Sequence, residues 1–123
     1  MRLEALTPML RTWDLPGSVA FYTEVLGFKC DNLSDEWGWA SLSRDNVKIM
    51  LAGPNRHEND VTPGFTGSLY FRTDDADALW QLLKDKTRIC YAIENFDYGM
   101  REFAIYDNNG YVLQFGQPIR KRC

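Results

Sequence analysis

The sequence is poor in the residues that usually carry metal or redox chemistry. Among its 123 residues are a single histidine, His57, and three cysteines, Cys30, Cys90 and Cys123. An odd number of widely spaced cysteines does not indicate a disulfide framework. No apolar run approaches the roughly 20 residues that a membrane span requires, and the opening MRLEALTPML has no apolar signal core. These absences predict a protein of the reducing cytoplasm without a membrane association.

Charge and composition are those of an ordinary globular protein. The formal net charge is −3, with 45% hydrophobic and 25% charged residues. A negative net charge weighs against a nucleic-acid partner and favours neutral or cationic ligands. Aromatic residues make up a high 14% of the chain; some are expected to fill the core, and the remainder are candidates for the lining of a pocket or an interface. The length predicts one compact domain.

The first half of the chain has the pattern of one strand, one helix and three further strands. Asp14 is a suitable helix N-cap, Pro16 falls in the first turn, and Gly27 stands where a left-handed C-terminal cap is needed. The apolar patterns place the strands at residues 1–12, 28–33, 36–43 and 47–52. Trp37 and Trp39 would then share one face of the third strand.

The second half repeats this order. Asp74 is the expected cap of its helix, the turn at 107–110 predicts a hairpin, and the strands fall at residues 68–73, 88–93, 101–106 and 110–115. Residues 11–12 and 72–73 are both Arg-Thr, which supports a duplicated module. The prediction is an α+β fold of two βαβββ modules, at 1–53 and 67–123, joined by a linker at 54–66. The sheet faces without helices would curl around a cup.

Two segments carry a resemblance to a known family. Residues 21–28 (FYTEVLGF) resemble the first-helix motif of the vicinal-oxygen-chelate superfamily, which includes glyoxalase I, extradiol dioxygenases, fosfomycin-resistance enzymes and bleomycin-resistance proteins. Residues 98–105 (YGMREFAI), followed by DNNG and LQF, resemble the end of bleomycin-resistance proteins. The resemblance spans nearly the whole chain and implies the glyoxalase/bleomycin-resistance fold and a homodimer.

The resemblance also locates four positions that hold a divalent metal in enzymes of that superfamily. They fall on Thr7, Met50, Ser68 and Gln114, and the internal repeat pairs Thr7 with Ser68 and Met50 with Gln114. Divalent ions need carboxylate, imidazole or thiolate ligands, and none of the four supplies one. We interpret His57, beside the acids that follow it, as a polar loop tip. The prediction is therefore a protein with no metal and no cofactor.

By the same resemblance, the ligand is a planar, neutral or cationic small molecule. Bleomycin-resistance proteins stack aromatic rings on a flat cationic drug. Trp37 falls on one stacking position and Tyr98 on or beside the other, while Asp35 and Glu36 would meet the positive end. In the alternative, Trp37 and Tyr98 pack against each other or against a partner subunit. The expected ligand-binding residues are Asp35, Glu36, Trp37, Trp39, Met50, Tyr70, Tyr98, Glu102, Phe103 and Gln114.

Arg101 and Glu102 are adjacent in a predicted strand and should point to opposite faces. A buried Arg or Glu needs a partner, and Arg11 and Arg72 are the candidates. In the alternative, the pair is a structural ion pair that holds the two halves together.

Three functional hypotheses follow. The first is metal-free binding and sequestration of a small molecule, such as a bleomycin-type antibiotic, by a cytoplasmic homodimer. The second is a glyoxalase-like lyase or isomerase, or a dioxygenase-related enzyme, with a non-standard site built on Glu102, Asp35, Glu36 and Tyr98. The third is a dimeric scaffold with no small-molecule role.

Overall fold

The fold was obtained as a computed structural model, and the structure describes residues 1–53, 64–65 and 67–119. The described residues form eight strands and two α-helices in the order βαβββ twice over, so the predicted α+β class is confirmed. The chain divides into two compact units, residues 1–64 and 65–123. Apart from residues 64–65, the predicted linker at 54–66 lies outside the described residues, as does His57.

The first unit contains a four-stranded sheet with one helix. Its elements are β1 (Met9–Arg11), α1 (Leu15–Ala20), which continues into a π-helical turn at Phe21–Val25, β2 (Lys29–Ser34), β3 (Trp39–Arg44) and β4 (Val47–Ala52). The strand order is β1-β4-β3-β2. The β1 strand runs parallel to β4, and the other neighbours are antiparallel.

Local signals set the limits of the first helix. The Asp14 side chain accepts a hydrogen bond from the Gly17 N–H at 3.0 Å, which confirms the predicted N-cap. Gly27 has φ +74°, the left-handed conformation expected of it. Arg44 Nη1 donates to the Leu26 carbonyl at 2.7 Å. The helix therefore ends on a carbonyl that a side chain from β3 satisfies.

Two strand predictions in this unit were too long. The first strand covers only Met9–Arg11, because the apolar side chains before it, Leu3 and Leu6, are exposed and pack on nothing that would hold a strand. The third begins at Trp39 rather than at residue 36. The Trp37 N–H donates to Ser34 Oγ at 3.2 Å and Gly38 has φ +63°, so residues 35–38 form a tight turn.

The second unit repeats the arrangement with longer strands. Its elements are β5 (Ser68–Arg72), α2 (Ala76–Leu83), β6 (Arg88–Asn95), β7 (Met100–Tyr106) and β8 (Val112–Pro118). The strand order is β5-β8-β7-β6, with β5 parallel to β8. The predicted cap Asp74 was wrong. The N-cap is the next residue, Asp75, because its carboxylate accepts a hydrogen bond from the N–H of Ala78, three residues further on, at 3.0 Å.

The helix α2 covers one face of the second sheet. On that face the Phe103 ring lies 5.3 Å from Trp80 of α2 and 5.2 Å from Phe115, which in turn stacks on Phe71 at 5.0 Å. Side chains alternate along a strand, so Glu102 and Gln114, the sequence neighbours of Phe103 and Phe115, point to the other side. We call that side, which also bears Tyr70 and Tyr91, the open face of the second unit.

Strand register confirms the internal repeat. In the first sheet Met50 pairs with Met9, and in the second Gln114 pairs with Tyr70. Across the next strand Met50 pairs with Ser41, and Gln114 pairs with Ala104. Met50 and Gln114 therefore occupy matching positions in their own sheets, as the sequence repeat predicted.

Candidate functional site

The predicted site residues of the first unit lie in two different places, an exposed turn and the sheet. Asp35, Glu36 and Trp37 lie in the exposed turn between β2 and β3, and the Trp37 side chain is 73% exposed. Trp39 and Met50 lie in the sheet, half-buried, on neighbouring strands. Because Trp37 belongs to the turn and not to a strand, the prediction that it shares a strand face with Trp39 was wrong.

A buried carboxylate lies at the centre of the open face of the second unit. Glu102 is 0% exposed. Its Oε1 accepts from the Tyr70 hydroxyl at 3.0 Å, and its Oε2 accepts from the Tyr91 hydroxyl and, at 3.4 Å, from Gln114 Nε2. A carboxylate removed from water is costly unless hydrogen bonds replace its solvation. Here the replacements are phenol and amide groups rather than a cation.

A hydrogen-bond chain crosses all four strands of this sheet. Ser68 Oγ on β5 donates to Gln114 Oε1 on β8 at 2.5 Å, and Gln114 Nε2 donates to Tyr91 Oη on β6 at 2.8 Å. The Tyr91 hydroxyl then donates to Glu102 on β7. Since one amide end accepts and the other donates, this order gives the Gln114 side chain a single orientation.

The phenol groups stay protonated near neutral pH. Burial and the hydrogen bond to Glu102 raise the pKa of Tyr70 to about 12, and the same two causes raise the pKa of Tyr91 further. The pKa of Tyr98 rises to about 12, chiefly through its own hydrogen bond to Glu102. A phenol that donates to a carboxylate resists ionisation because the phenolate would lose the bond and repel the charge. These tyrosines, Glu102 and Gln114 are called the Glu102 cluster below.

Gly116 makes room for one of these contacts. An ideal Cβ at Gly116 would lie 2.0 Å from Tyr70 Oη and 2.8 Å from Tyr70 Cζ. The Tyr70 ring therefore crosses the β8 backbone where the side chain of any other residue would stand. This close approach brings the hydroxyl to Glu102, and it is the reason that β8 needs a glycine there.

Aromatic rings border the cluster. The Phe96 ring stacks on Tyr98 at 5.5 Å with an interplanar angle of 13°, and it meets Tyr91 edge to face at 5.4 Å. Tyr98 is 64% exposed and Tyr70 is 45% exposed. The open face thus combines a buried polar floor with two accessible phenol rings.

The structure brings together four of the ten predicted ligand-binding residues, namely Tyr70, Tyr98, Glu102 and Gln114. The prediction that Phe103 binds the ligand was wrong. Phe103 is adjacent to Glu102 in β7, so its side chain points to the opposite, helix-covered face and packs against Trp80. Sequence reasoning missed Tyr91, Phe96 and Gly116 as parts of the site. Register shifts flank Tyr91 in β6, so simple alternation misplaces its side chain.

The prediction that Arg101 and Glu102 face opposite ways is consistent with their contacts, but the expected partners were wrong. Arg101 forms a two-pronged salt bridge with Asp77 of α2, the closest N–O distance being 2.8 Å, and it also donates to Asn95. The carboxylate of Glu102 accepts hydrogen bonds from the hydroxyls of Tyr70 and Tyr91 instead of pairing with an arginine. Sequence reasoning expected a cationic partner for this carboxylate because it did not consider tyrosine hydroxyls on the other strands of the sheet.

Comparison with known proteins places this fold. No curated protein matches the chain in sequence. The family profile described as "Glyoxalase/Bleomycin resistance protein/Dioxygenase superfamily" matches residues 5–115. The chain belongs to this superfamily.

Solved structures of the superfamily and of other proteins share the fold. A glyoxalase/bleomycin resistance protein/dioxygenase from Nocardioides aligns with TM-score 0.79 at 16% identity, over 99% of this chain and 88% of that chain. TioX from Micromonospora sp. ML1 aligns with TM-score 0.73 at 16% identity, over 98% and 100%. The V. cholerae integron cassette protein VCH_CASS1 aligns with TM-score 0.71 at 21% identity, over 95% and 97%. Identities this low establish the fold and nothing finer.

The positions that the superfamily resemblance assigns to a divalent metal do not fit one. In the second unit, Ser68 and Gln114 are hydrogen-bonded to each other. Thr7 and Met50, in the first unit, offer a hydroxyl and a thioether, which are weak ligands for a hard or borderline ion. Among the described residues, no group of three or more His, Cys, Asp or Glu side chains could hold a metal. Nor does any described helix have the length and apolarity to cross a membrane.

Proposed function

We propose that this member of the superfamily binds and sequesters a small organic molecule with a planar part on the open face of the second unit. The observation that carries the proposal is the pair of accessible phenol rings, Tyr70 and Tyr98, that belong to the Glu102 cluster. Rings held in place by hydrogen bonds lose little conformational freedom when a ligand stacks on them. A planar antibiotic of the bleomycin type is the ligand class that we put first.

The preformed geometry supports binding over a merely structural role. A stacked aromatic pair contributes about 0.5–1.5 kcal/mol beyond simple burial. Tyr98 already stacks on Phe96, so a planar ligand would extend a stack that exists. In the predicted alternative, Tyr98 packs against Trp37 or a partner subunit, which leaves no ring surface for a ligand.

A proton-transfer enzyme, of the lyase or isomerase kind, is the second candidate. It is favoured by the chain that leads from Ser68 through Gln114 and Tyr91 to Glu102. However, a general base needs a free lone pair toward its substrate, and Glu102 already accepts from several donors. The raised tyrosine pKa values also make these phenols poor acids near neutral pH. We therefore place binding ahead of catalysis.

Calorimetric titration with a bleomycin-type drug tests the first proposal. A dissociation constant below about 100 μM, equivalent to about 5.5 kcal/mol, is expected for a dedicated site. Tyr98→Ala should weaken the affinity, whereas Tyr106→Ala, at the far end of β7, is the matched control. Weaker binding than that limit, or equal effects of the two variants, contradicts drug binding at this face. Mass spectrometry of the recovered drug separates sequestration from turnover, because only an enzyme alters its ligand.

We also propose a homodimer in a reducing cytosolic compartment, with no nucleic-acid partner. Light scattering on the purified protein measures the oligomeric state directly. A monomer at micromolar concentration overturns the dimer. Binding to DNA or RNA at physiological salt, measured by fluorescence anisotropy, overturns the exclusion of nucleic acid.

A further inference from the structure

Within the part of the chain that the structure describes, the charge of Glu102 has no cationic partner. Glu102 accepts hydrogen bonds from Tyr70, Tyr91 and Gln114, and Tyr98 interacts with it closely enough to have its own pKa raised; all four of these groups are neutral. None of the cationic side chains that the structure describes forms a salt bridge with Glu102. Arg72 is close enough to Tyr70 to lower its pKa slightly. The open face is therefore a buried anion covered by phenols, which is a favourable environment for a positive charge.

The same contacts decide how a ligand can reach that charge. A carboxylate offers about four lone-pair positions; three donors occupy most of them, and Glu102 is 0% exposed. A ligand must therefore approach through the phenol oxygens, each of which retains lone pairs when its hydrogen points at Glu102. Donating to a carboxylate makes a phenol oxygen a stronger acceptor, because hydrogen bonds in a chain polarise one another.

Two of the phenol groups are positioned for this role. Tyr91 Oη already accepts from Gln114, whereas Tyr70 and Tyr98 are largely exposed. Their rings, together with Phe96, also present aromatic faces, which attract cations through the ring quadrupole. Phenol acceptors and partly exposed aromatic rings beside one buried anion suit a compact organic cation with N–H donors.

We infer that Glu102, acting through the hydroxyls of Tyr70 and Tyr98, is the counter-ion for an organic ammonium group of the ligand. This inference rests on the proposed small-molecule function and adds the charge that the ligand must carry. It also moves the cation-binding role from Asp35 and Glu36, in the exposed turn of the first unit, to a buried carboxylate of the second.

Three probes with one ring and different charges test the inference at neutral pH: benzylammonium, benzyl alcohol and benzoate. Binding is followed through the ring NMR signals of isotope-labelled tyrosine, assigned by the single Tyr→Phe variants. We expect benzylammonium to bind about tenfold more tightly than benzyl alcohol, the scale of one cation–π contact with partial desolvation. Benzoate should bind most weakly.

Variants separate the charge from the ring. Tyr98→Phe keeps the ring but removes the hydroxyl, so the preference for benzylammonium should fall to about threefold or less. Tyr106→Phe also removes a phenol of β7 but leaves the Glu102 cluster complete, so its preference should match that of the unmodified protein. Glu102→Gln should abolish the preference, and Tyr98→Phe provides the answer if that buried substitution prevents folding.

The outcomes separate this inference from the proposed function. If all three probes shift Tyr70 and Tyr98 with equal affinity, the small-molecule site stands and the ammonium inference is wrong. If benzylammonium is preferred but Tyr98→Phe changes nothing, the charge lies elsewhere and the inference is also wrong. If no probe moves these signals at about 10 mM, where even a fragment worth about 2.7 kcal/mol would show, both are overturned.

Discussion

The close approach of Tyr70 to Gly116 gives a sharp test of the site. In Gly116→Ala, the new methyl group would stand 2.0 Å from Tyr70 Oη, far inside van der Waals contact. The tyrosine must swing away because the methyl group is fixed to the backbone of β8. The hydrogen bond from Tyr70 to Glu102 is then lost, while the bonds from Tyr91 and Gln114 remain.

The magnitude follows from two opposing terms. A hydrogen bond to a charged group contributes about 1.5–3 kcal/mol, and the lower end applies because Tyr70 is 45% exposed. Replacing glycine by alanine returns about 0.4–1 kcal/mol by restricting the unfolded chain. We therefore expect a net loss of about 1 kcal/mol in the free energy of unfolding. For a chain of this size that corresponds to a fall in Tm of about 4 °C.

A double-mutant cycle in urea measures whether Tyr70 is the cause. In a Tyr70→Ala background the ring is absent, so adding Gly116→Ala should cost nothing or stabilise slightly. Gly53→Ala is the matched control, because its Cβ would lie at an ordinary 3.7 Å from the nearest atom, the Gly38 carbonyl oxygen. An equal loss from Gly116→Ala in both backgrounds would refute the proposed contact between the Tyr70 hydroxyl and Glu102.

Three further predictions concern the surroundings of the cluster. Because the pKa of Tyr70 and of Tyr98 is raised from 10.0 to about 12, the stability from their hydrogen bonds is complete below pH 10 and is lost as the pH rises through 12. Denaturation at stepped pH should show that fall, reduced in Tyr70→Phe; an unchanged fall contradicts it. Arg101→Ala should lower the free energy of unfolding by about 0.5–1 kcal/mol, since the salt bridge between Arg101 and Asp77 is partly exposed. Thermal unfolding measures this, and an unchanged Tm would show that the salt bridge does not contribute to stability. Trp37→Ala should change stability by less than about 0.5 kcal/mol, and a larger loss would mean that the exposed indole packs in solution.

Much of the fold could be predicted because its signals are local. The cap Asp14, the helix-ending Gly27 and the hairpin turn before β8 each depend on residues a few positions apart. In that turn, Asp107 Oδ1 accepts from the Asn109 and Tyr111 N–H groups, and Gly110 has φ +88°. Such contacts are encoded where they occur, so a single sequence reveals them.

The Glu102 cluster could not be assembled in the same way. Sequence reasoning named Tyr70, Glu102 and Gln114 separately, but it sought an arginine partner for Glu102. The observed partners come from three other strands and lie 11 to 32 residues away in sequence. The register shifts in β6 determine which face of the sheet the Tyr91 side chain lies on, and no residue pattern in that strand predicts these shifts. A site made of cross-strand contacts depends on register, which alternation alone does not fix.

The internal repeat allows the proposed site to be compared with the matching positions of the first unit. The register places Trp39 of the first sheet, which pairs with Ala52, where Glu102 of the second pairs with Gly116. The first-unit counterparts in the sheet are different residues, without a carboxylate or a phenol: Met9 for Tyr70, Asn32 for Tyr91, Trp39 for Glu102, Met50 for Gln114 and Ala52 for Gly116. The two units share strand order and the parallel or antiparallel pairing of their neighbours, so topology does not distinguish them. What distinguishes them is a set of side chains on one face of one sheet. Even the glycine belongs to that set, because an alanine like Ala52 in its place would exclude Tyr70 from Glu102. The proposed function therefore depends on the side chains of the second unit's open face and not on the fold that both units have in common.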